Sequence, residues 1–529
     1  MGTYFNIHNH TMYSNIRLLD CINRPKDLID KAIELGLSGI AITDHECISG
    51  HMEVNQYAKE VKKNHPDFKI ALGNEVYLVD TRENGIKYYH FILVAKDAIG
   101  HKALRELSSI AWYYAYVDRG MKRVPITKEE MSKIVTKYKG HLIATGACLG
   151  GELSSAAWNM SQAEGVNDMA TAKIHYDQIC EFIDYCRDLF GDDFYIECAP
   201  SSAAQQCEVN KKLMRIAKAY GINMVVGTDS HYLTKEDRFV HKSYLNSKDG
   251  EREVDDFYEF AYLMSPEECR ALLLKSFNDT DIDDIFAATL EAQNKIEDYS
   301  LERKQIIPKV QVPFYDNLWD LLPEEMQWSS YTWPTLDRII CAGNDQERYW
   351  LGECLKSMKE KGFIDKKEYW DRLETEADVI DDIGGKLEDC LFAYFNTFKH
   401  YIDLFWDCGS IVGPGRGSAT GFLSNYLLGI TQLDPVRWKL PYWRFLNKER
   451  AELPDIDIDL APSKRPEIFR RIRQERGELG LIQVGTFGTE GTKSAILTAC
   501  RGYRSEDFPD GIDVDQAQYM SSLIPQERG

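Results

Sequence analysis

The feature that most constrains this chain is a rhythm in its first half. Seven apolar runs, Tyr4–Ile7, Gly39–Thr43, Lys69–Leu72, Tyr89–Ala95, His141–Thr145, Phe194–Ile196 and Asn223–Gly227, are each followed by turn residues and then by helix-like periodicity. Short runs of this kind read as strands, and strands that alternate with helices pair in parallel through crossovers. Seven such units predict an α/β fold, a parallel barrel of the (β/α) type, whose chemistry gathers at the C-terminal ends of its strands. The helix punctuation agrees. In Asn23-Arg24-Pro25, Asn23 can cap a helix, Pro25 fits its first turn, and Gly36 ends the run.

Metal-type side chains fall where such a barrel would use them. His8 and His10 end the first strand and His45 the second; Glu75 follows the third, His90 lies in the fourth and Cys148 follows the fifth. Asp229 and His231 end the last strand, and Asp20 sits in a loop that can reach the same rim. One histidine at a strand end is usually structural, but so many coincidences point to bound cations. Imidazoles and a thiolate favour zinc, while carboxylates admit manganese or iron. His51 and His65, in the helix that follows the second strand, read as solvent-facing. Glu197 reads first as a carboxylate stabilising the barrel, with support of a ligand as the alternative.

Further along, Leu453-Pro454-Asp455-Ile456-Asp457-Ile458-Asp459-Leu460 alternates carboxylates with aliphatics. Period two predicts a strand with the three aspartates on one face and Ile456 and Ile458 on the other. Asp455 and Asp457 would lie about 6.6 Å apart along it. Like charges that close are resolved by a divalent cation, unless the stretch is an acidic edge strand in water. Some 40 residues earlier, the glycine loop Gly413–Ser418 opens onto a helix-like segment, Ala419–Leu428, stopped by Gly429. Gly415, Arg416, Gly417 and Ser418 suit a phosphate: the glycines free backbone amides, Arg416 brings charge, and Ser418 can cap the helix.

A net charge of -21 speaks against a nucleic-acid partner. Its distribution does not, because between Val436 and Arg476 eleven Lys and Arg face seven acids. The aspartate stretch therefore lies in a basic region. With 529 residues the chain should form two to four domains. Its thirteen cysteines include no Cys-x-x-Cys pair, and most of them read as buried, reduced thiols. Neither a signal peptide nor a membrane-spanning run is visible, so a cytoplasmic, non-membrane protein is expected. Residues 237–301 are acidic and helical in texture and are assigned no chemistry. The Trp-rich stretch 313–350 reads as a packed connector or a docking surface. Arg372–Ile383 and Tyr394–Trp406 read as an acidic and an aromatic helix.

Two resemblances follow from these residues. His8-Asn9-His10, Thr43-Asp44-His45, Gly73-Asn74-Glu75, His90, Cys148 and Asp229-Ser230-His231 resemble the polymerase and histidinol phosphatase (PHP) superfamily over roughly residues 1–240. The resemblance implies a distorted (β/α)7-type barrel and hydrolysis of phosphodiesters. It also implies that His8, His10, Asp20, His45, Glu75, His90, Cys148, Asp229 and His231 hold a zinc or manganese cluster, with iron as an alternative. The loop before Asp20 is longer than the short form of the family loop, which makes Asp20 the least secure of the nine.

Gly413–Ala419, Leu428-Gly429-Ile430-Thr431, Arg444-Phe445-Leu446-Asn447, Pro454–Asp459 and Gly485–Thr489 with Lys493 and Arg501 resemble the bacterial DNA polymerase III alpha subunits, the C family of replicative polymerases. This implies an α+β nucleotidyltransferase-like palm at 301–486, joined to the barrel by a helical extension at 241–300 and followed by the start of a helical thumb at 487–529. Asp455 and Asp457 would hold catalytic magnesium, with Asp459 a weaker candidate. Arg416 and Ser418 would meet the incoming triphosphate, and Lys464, Arg465, Lys493 and Arg501 are candidates for phosphate contacts, with plain surface cations as the alternative. The implied partners are primer–template DNA and deoxynucleoside triphosphates. A third aspartate, fingers and a clamp-binding segment are expected from a second polypeptide or a missing C-terminal part. The leading expectation is a polymerase portion whose barrel removes 3′ nucleotides. The alternatives are a stand-alone phosphoesterase with an inert palm and a non-catalytic barrel that docks replisome partners.

Overall fold

Each of the seven apolar runs becomes a strand of one sheet. The computed structural model describes residues 2–83, 85–118, 121–247, 256–323, 328, 330–450 and 452–525. In chain order the strands are β1 (Phe5–Asn6), β2 (Gly39–Ile42), β3 (Lys69–Val79), β4 (Tyr89–Ala95), β5 (Tyr116–Asp118), β6 (Met121–Arg123), β7 (Ile126–Thr127), β8 (Leu142–Thr145), β9 (Phe194–Cys198) and β10 (Met224–Val226). The main sheet runs β1-β2-β3-β4-β8-β9-β10, with β7 beside the far end of β3. A parallel bridge between Asn9 and Ser230 brings its two edges together, so the sheet is nearly a closed barrel.

The pairing is not parallel throughout. β4 runs antiparallel to both β3 and β8. The reason lies in the connection: the described residues of 80–88 hold no helix, and a parallel return needs a crossover of a dozen residues or more. β5 and β6 form a separate antiparallel hairpin.

Side chains alternate along the strands, as period two requires. Ile40, Ile42, Phe91, Leu93, Ile196 and Val226 pack into the large cluster shared with the surrounding helices. Phe5, Ile7, Ala41, Ala71, Ile143 and Val225 form a second cluster with Ala288, Ala292 and Ile296 at the end of the helix Asp279–Asn294. This helix lies against β1 and β10 and is tied to the sheet by the Phe5 amide, which donates to Thr289 Oγ1 at 3.1 Å. In the helix Pro25–Glu34 Pro25 opens the first turn as expected, but Asn23 is not the cap. Its amide instead donates to the carbonyls of His10 and Ser230, pinning β1 to the loop after β10.

The chain divides into two units, Met1–Glu302 with Gly488–Gly529, and Arg303–Phe487. The second unit is built from the helices Pro334–Ala342, Asp345–Glu360, Lys367–Leu387 and Phe392–Asp407. Its tryptophans divide: Trp328, Trp333 and Trp370 cluster with ring centroids 5.3–5.8 Å apart and Trp350 is fully buried against Phe392, whereas Trp319, Trp406, Trp438 and Trp443 are exposed. Replacing a buried tryptophan of this kind by alanine costs about 3–5 kcal/mol.

Two expectations for this unit change. No β-strand is present among its described residues, where the sequence predicts an α+β palm; helices and extended segments stand there instead. Leu453–Leu460 is extended, but among the described residues only one end has a backbone neighbour: Val412 bridges Leu460, and the Gly413 amide donates to the Asp459 carbonyl at 2.8 Å. A strand needs a partner along its length. The predicted Ala419–Leu428 helix is a tight turn, Gly417–Gly421, then a single helical turn, Leu423–Leu427. Ser418 lies inside the turn and caps nothing. Of the thirteen cysteines eight are buried, and all are unpaired. No helix among the described residues is long and apolar enough to cross a membrane.

Candidate metal centre

The strand ends converge as the sequence pattern requires. His8 and His10 follow β1 and His45 follows β2; Glu75 lies within β3, His90 within β4, and Cys148 follows β8. A parallel bridge joins His45 to Glu75. His8 Nε2 lies 3.1 Å from His10 Nε2 and 3.5 Å from Glu75 Oε1. Asp229 Oδ1 is 3.0 Å from His10 Nε2 and 3.3 Å from His8 Nε2. Glu75 also meets His45 Nδ1, and His90 Nδ1 at 2.7 Å. Asp20 Oδ2 is 3.2 Å from His45 Nε2 and 3.7 Å from His231 Nε2. Cys148 Sγ closes the set 3.8 Å from His90 Nδ1.

Three overlapping triads have donor atoms mutually within 4.8 Å: His10, His45 and His231; His8, His10 and Glu75; and Glu75, His90 and Cys148. All nine predicted residues are therefore in one place, Asp20 included despite its longer loop. Their orientation fits cations. Imidazole nitrogens face one another, with His231 Nε2 3.4 Å from His45 Nε2, and Asp20 Oδ1 is buried without a hydrogen-bond partner among the described residues. A neutral pair of facing acceptors is unfavourable unless something electrophilic lies between them.

Burial dominates the electrostatics. It holds His10 down at about 3, helped by the neighbouring His45 and His231 rings. For His45 burial pulls the same way but is outweighed by the Glu75 and Asp20 carboxylates, which raise it. Asp20 is lifted by burial yet ends well below the usual range because His45 and His231 lie beside it. The backbone is strained at three loops of the rim: Glu46, Ala147 and Asp229 have φ of 49°, 57° and 48°. Such conformations persist only where the surroundings enforce them.

A supporting shell was only partly legible in the sequence. Glu197 accepts from His8 Nδ1 at 2.7 Å and from the Thr145 hydroxyl, so it orients a ligand rather than only stabilising the barrel. Gly227 makes room for this contact, since a Cβ there would lie 2.7 Å from His8 Cβ and collide with the Glu197 carboxylate. Asp44 accepts from the Thr11 amide at 2.6 Å and from Ser14 at 2.8 Å, while Ser14 lies 3.0 Å from His10 Nδ1. Burial pushes Asp44 up to about 6. His241, in the acidic stretch assigned no chemistry, binds the Asp20 carbonyl. Only the position of Asp44 beside His45 hinted at this role.

His51 is not solvent-facing. It is buried, with Nδ1 3.0 Å from His101 Nε2 and Nε2 2.9 Å from the Gly73 carbonyl. Burial, then His101, holds it down at about 3. His65 is exposed as expected.

In the second unit the alternation survives without the strand. Asp455, Asp457 and Asp459 are exposed and Ile456 is buried. The glycine loop crosses this stretch, with Arg416 Nη1 3.2 Å from Asp459 Oδ1 and Nε 4.0 Å from Asp457 Oδ2. Gly415, at φ 112°, turns the loop where a Cβ would meet Thr431 at 3.0 Å. Ser418 is exposed. Lys493 and Arg501 share the helix Thr492–Gly502 of the first unit, where Arg501 donates to the Ser247 carbonyl at 3.3 Å.

A near-closed α/β barrel with this rim defines the class. Residues 6–201 match the PHP domain family, and residues 346–529 match the family described as bacterial DNA polymerase III alpha NTPase domain. The chain is a relative of the bacterial DNA polymerase III alpha subunits and carries a PHP domain. A DNA-directed DNA polymerase of Bacillus phage SPbeta is 40% identical over 550 residues, covering 99% of this chain and 41% of that protein. DNA polymerase III subunit alpha of Aquifex aeolicus (strain VF5) is 28% identical, again over 99% of this chain and 41% of that protein. The chain thus spans about two-fifths of the length of these relatives. An amidohydrolase structure from Chromobacterium violaceum is 14% identical with a TM-score of 0.26, covering 43% of this chain and 88% of that one.

Proposed function

We propose that the rim of the PHP barrel is a metal-dependent phosphodiesterase that removes nucleotides from DNA 3′ ends, in a chain whose second unit serves template-directed nucleotidyl transfer. The convergence of seven ligand-type side chains into three overlapping triads, with Asp20 and Asp229 beside them, carries this reading. His10, His45 and His231 would hold one cation, with Asp20; His8, His10 and Glu75 a second, with Asp229; and Glu75, His90 and Cys148 a third. The donor set fits zinc, with manganese or iron as alternatives. The chemistry such cations supply when bound is Lewis acidity, toward a phosphoryl group and a hydrolytic water.

The protein's own part is positioning. Glu75 sits between the triads and holds His45 and His90 toward the cluster. Glu197 fixes the His8 ring so that Nε2 faces inward, as carboxylate partners of ligand histidines do. In the second unit, Asp455 and Asp457 would hold magnesium for primer extension, and Arg416 and Ser418 would meet the triphosphate, with primer–template DNA and deoxynucleoside triphosphates as partners.

The test measures transition metals in the purified chain together with hydrolysis of a 3′-mismatched primer. At least two bound metals are expected, with hydrolysis lost in Asp229→Ala and His231→Ala but retained in Asp455→Ala. Fewer than two metals, or equal loss in Asp455→Ala, would overturn the assignment.

A further inference from the structure

One wall of the rim is aromatic and cationic. It begins at the metal-type cluster itself. His90 pairs across the sheet with Tyr77, and the rings of Tyr77, Tyr88 and His90 lie within 12° of parallel. Arg123, on β6, stands over Tyr88 at 4.9 Å from the ring centroid and donates to its hydroxyl at 2.8 Å. Next to it on the same strand, Lys122 covers Trp112 at 4.6 Å, and the Trp112 indole donates to the carbonyl of Glu46, the residue after His45. The wall is therefore anchored to the site at two points.

Its outer part is open. Tyr114 is 52% exposed and Tyr113 80% exposed, the two rings meeting edge to face at 4.9 Å. Arg82 stands over Tyr114 but is ion-paired to Glu130. Lys122 and Arg123 have no carboxylate within ion-pair distance among the described residues. Open rings interleaved with uncompensated cations, leading toward a hydrolytic centre, complement a flexible polyanion that carries flat bases. An apolar protein surface would leave those cations without a counter-charge.

We propose that this wall binds single-stranded polynucleotide, with phosphates on Lys122 and Arg123 and a base against Tyr114, and feeds its 3′ end to the rim. The substrate of the site is then a single strand and not a small phosphate. This rests on the hydrolytic reading above.

The experiment compares the full, metal-loaded chain on two substrates, a single-stranded oligonucleotide and bis(p-nitrophenyl) phosphate, a diester without bases. Tyr114→Ala should lower the ratio of kcat/KM on the oligonucleotide to kcat/KM on the small diester about tenfold, the size of one lost base stack. Tyr114→Phe should restore it. Removing both charges with Lys122→Gln and Arg123→Gln should make the log–log dependence of oligonucleotide KM on salt shallower by about 1.4, two single-strand phosphate contacts. An unchanged ratio together with an unchanged salt slope overturns the wall while leaving hydrolysis intact. If the unaltered chain cleaves neither substrate, the hydrolytic reading fails, and binding of a dye-labelled oligonucleotide decides the wall by itself: equal affinity in the unaltered chain and in one carrying Tyr114→Ala, Lys122→Gln and Arg123→Gln together overturns it, and an affinity about tenfold weaker in that variant supports it.

Discussion

Asp20, Glu75 and Asp229 are buried among imidazoles, whereas Asp455, Asp457 and Asp459 stand in solvent beside one arginine. Both groups bring carboxylates together, but by different means. In the barrel six strands and their loops supply the ligands, and strain at Asp229 is tolerated because its surroundings enforce it. In the second unit one extended stretch carries all three aspartates, backbone-paired at one end only and otherwise anchored by Ile456 and by the Tyr394 hydroxyl, which donates to the Pro454 carbonyl. The lesson is that a cluster built from many elements is ready before its cations arrive, while a cluster on one segment depends on what it later binds.

The most forceful way to break this contrast is to remove Glu75, which touches His8, His45 and His90. Glu75→Gln should abolish at least one bound metal by elemental analysis and lower diester hydrolysis by about 100-fold or more. A retained metal count would mean the cluster is not pre-built.

Chelation comes next. Cations held at a thousand times their Kd stabilise the folded state by about 4 kcal/mol, which corresponds to a loss on the order of 10 °C in the melting temperature of the first unit. Asp455→Ala should leave that loss unchanged. A milder probe is Glu197→Gln, which frees the His8 ring; metal affinity, read by competition with a chelator, should fall about 10- to 100-fold.

The buried His51–His101 pair separates protonation from metal binding. Burial holds His51 at about 3 and His101 at about 4, so both are neutral in the folded chain while the unfolded chain takes up protons near 6.5. Their contribution is fully present above about 6.5 and is lost as pH falls toward 4. In the chelated protein, thermal melts at pH 7 and 5 should differ less in His51→Gln than in the unaltered chain. The smallest effect belongs to the open cluster. Arg416→Ala removes an exposed ion pair and should shift stability by less than about 1 kcal/mol in denaturant titration. A larger loss would show that the aspartate stretch is as built as the barrel.

Much of the barrel was legible because strand, turn and ligand signals are local. His8 and His10, or Asp229 and His231, announce themselves within three residues, and topology alone brings them together. The antiparallel β4 was also recoverable, since residues 80–88 are too short for a crossover. Other features depend on distant partners. His51 is buried because His101 and Gly73 receive it, Glu197 matters because Gly227 lets it reach His8, and the aspartate stretch is not a strand because no neighbour runs alongside. Alternation reports which face is wet; it does not report whether a strand will find a mate.

The bridge between Asn9 and Ser230 has a consequence in time. The cations' sites need side chains from both margins of the sheet, separated by more than 200 residues of chain. During synthesis at the ribosome the histidines near the N-terminus must wait for Asp229 and His231 to emerge. Contacts of such sequence separation form slowly. Ion loading is therefore a record of completed assembly: a half-made or misrouted chain exposes unfilled imidazoles, and only a closed ring can carry a full cluster.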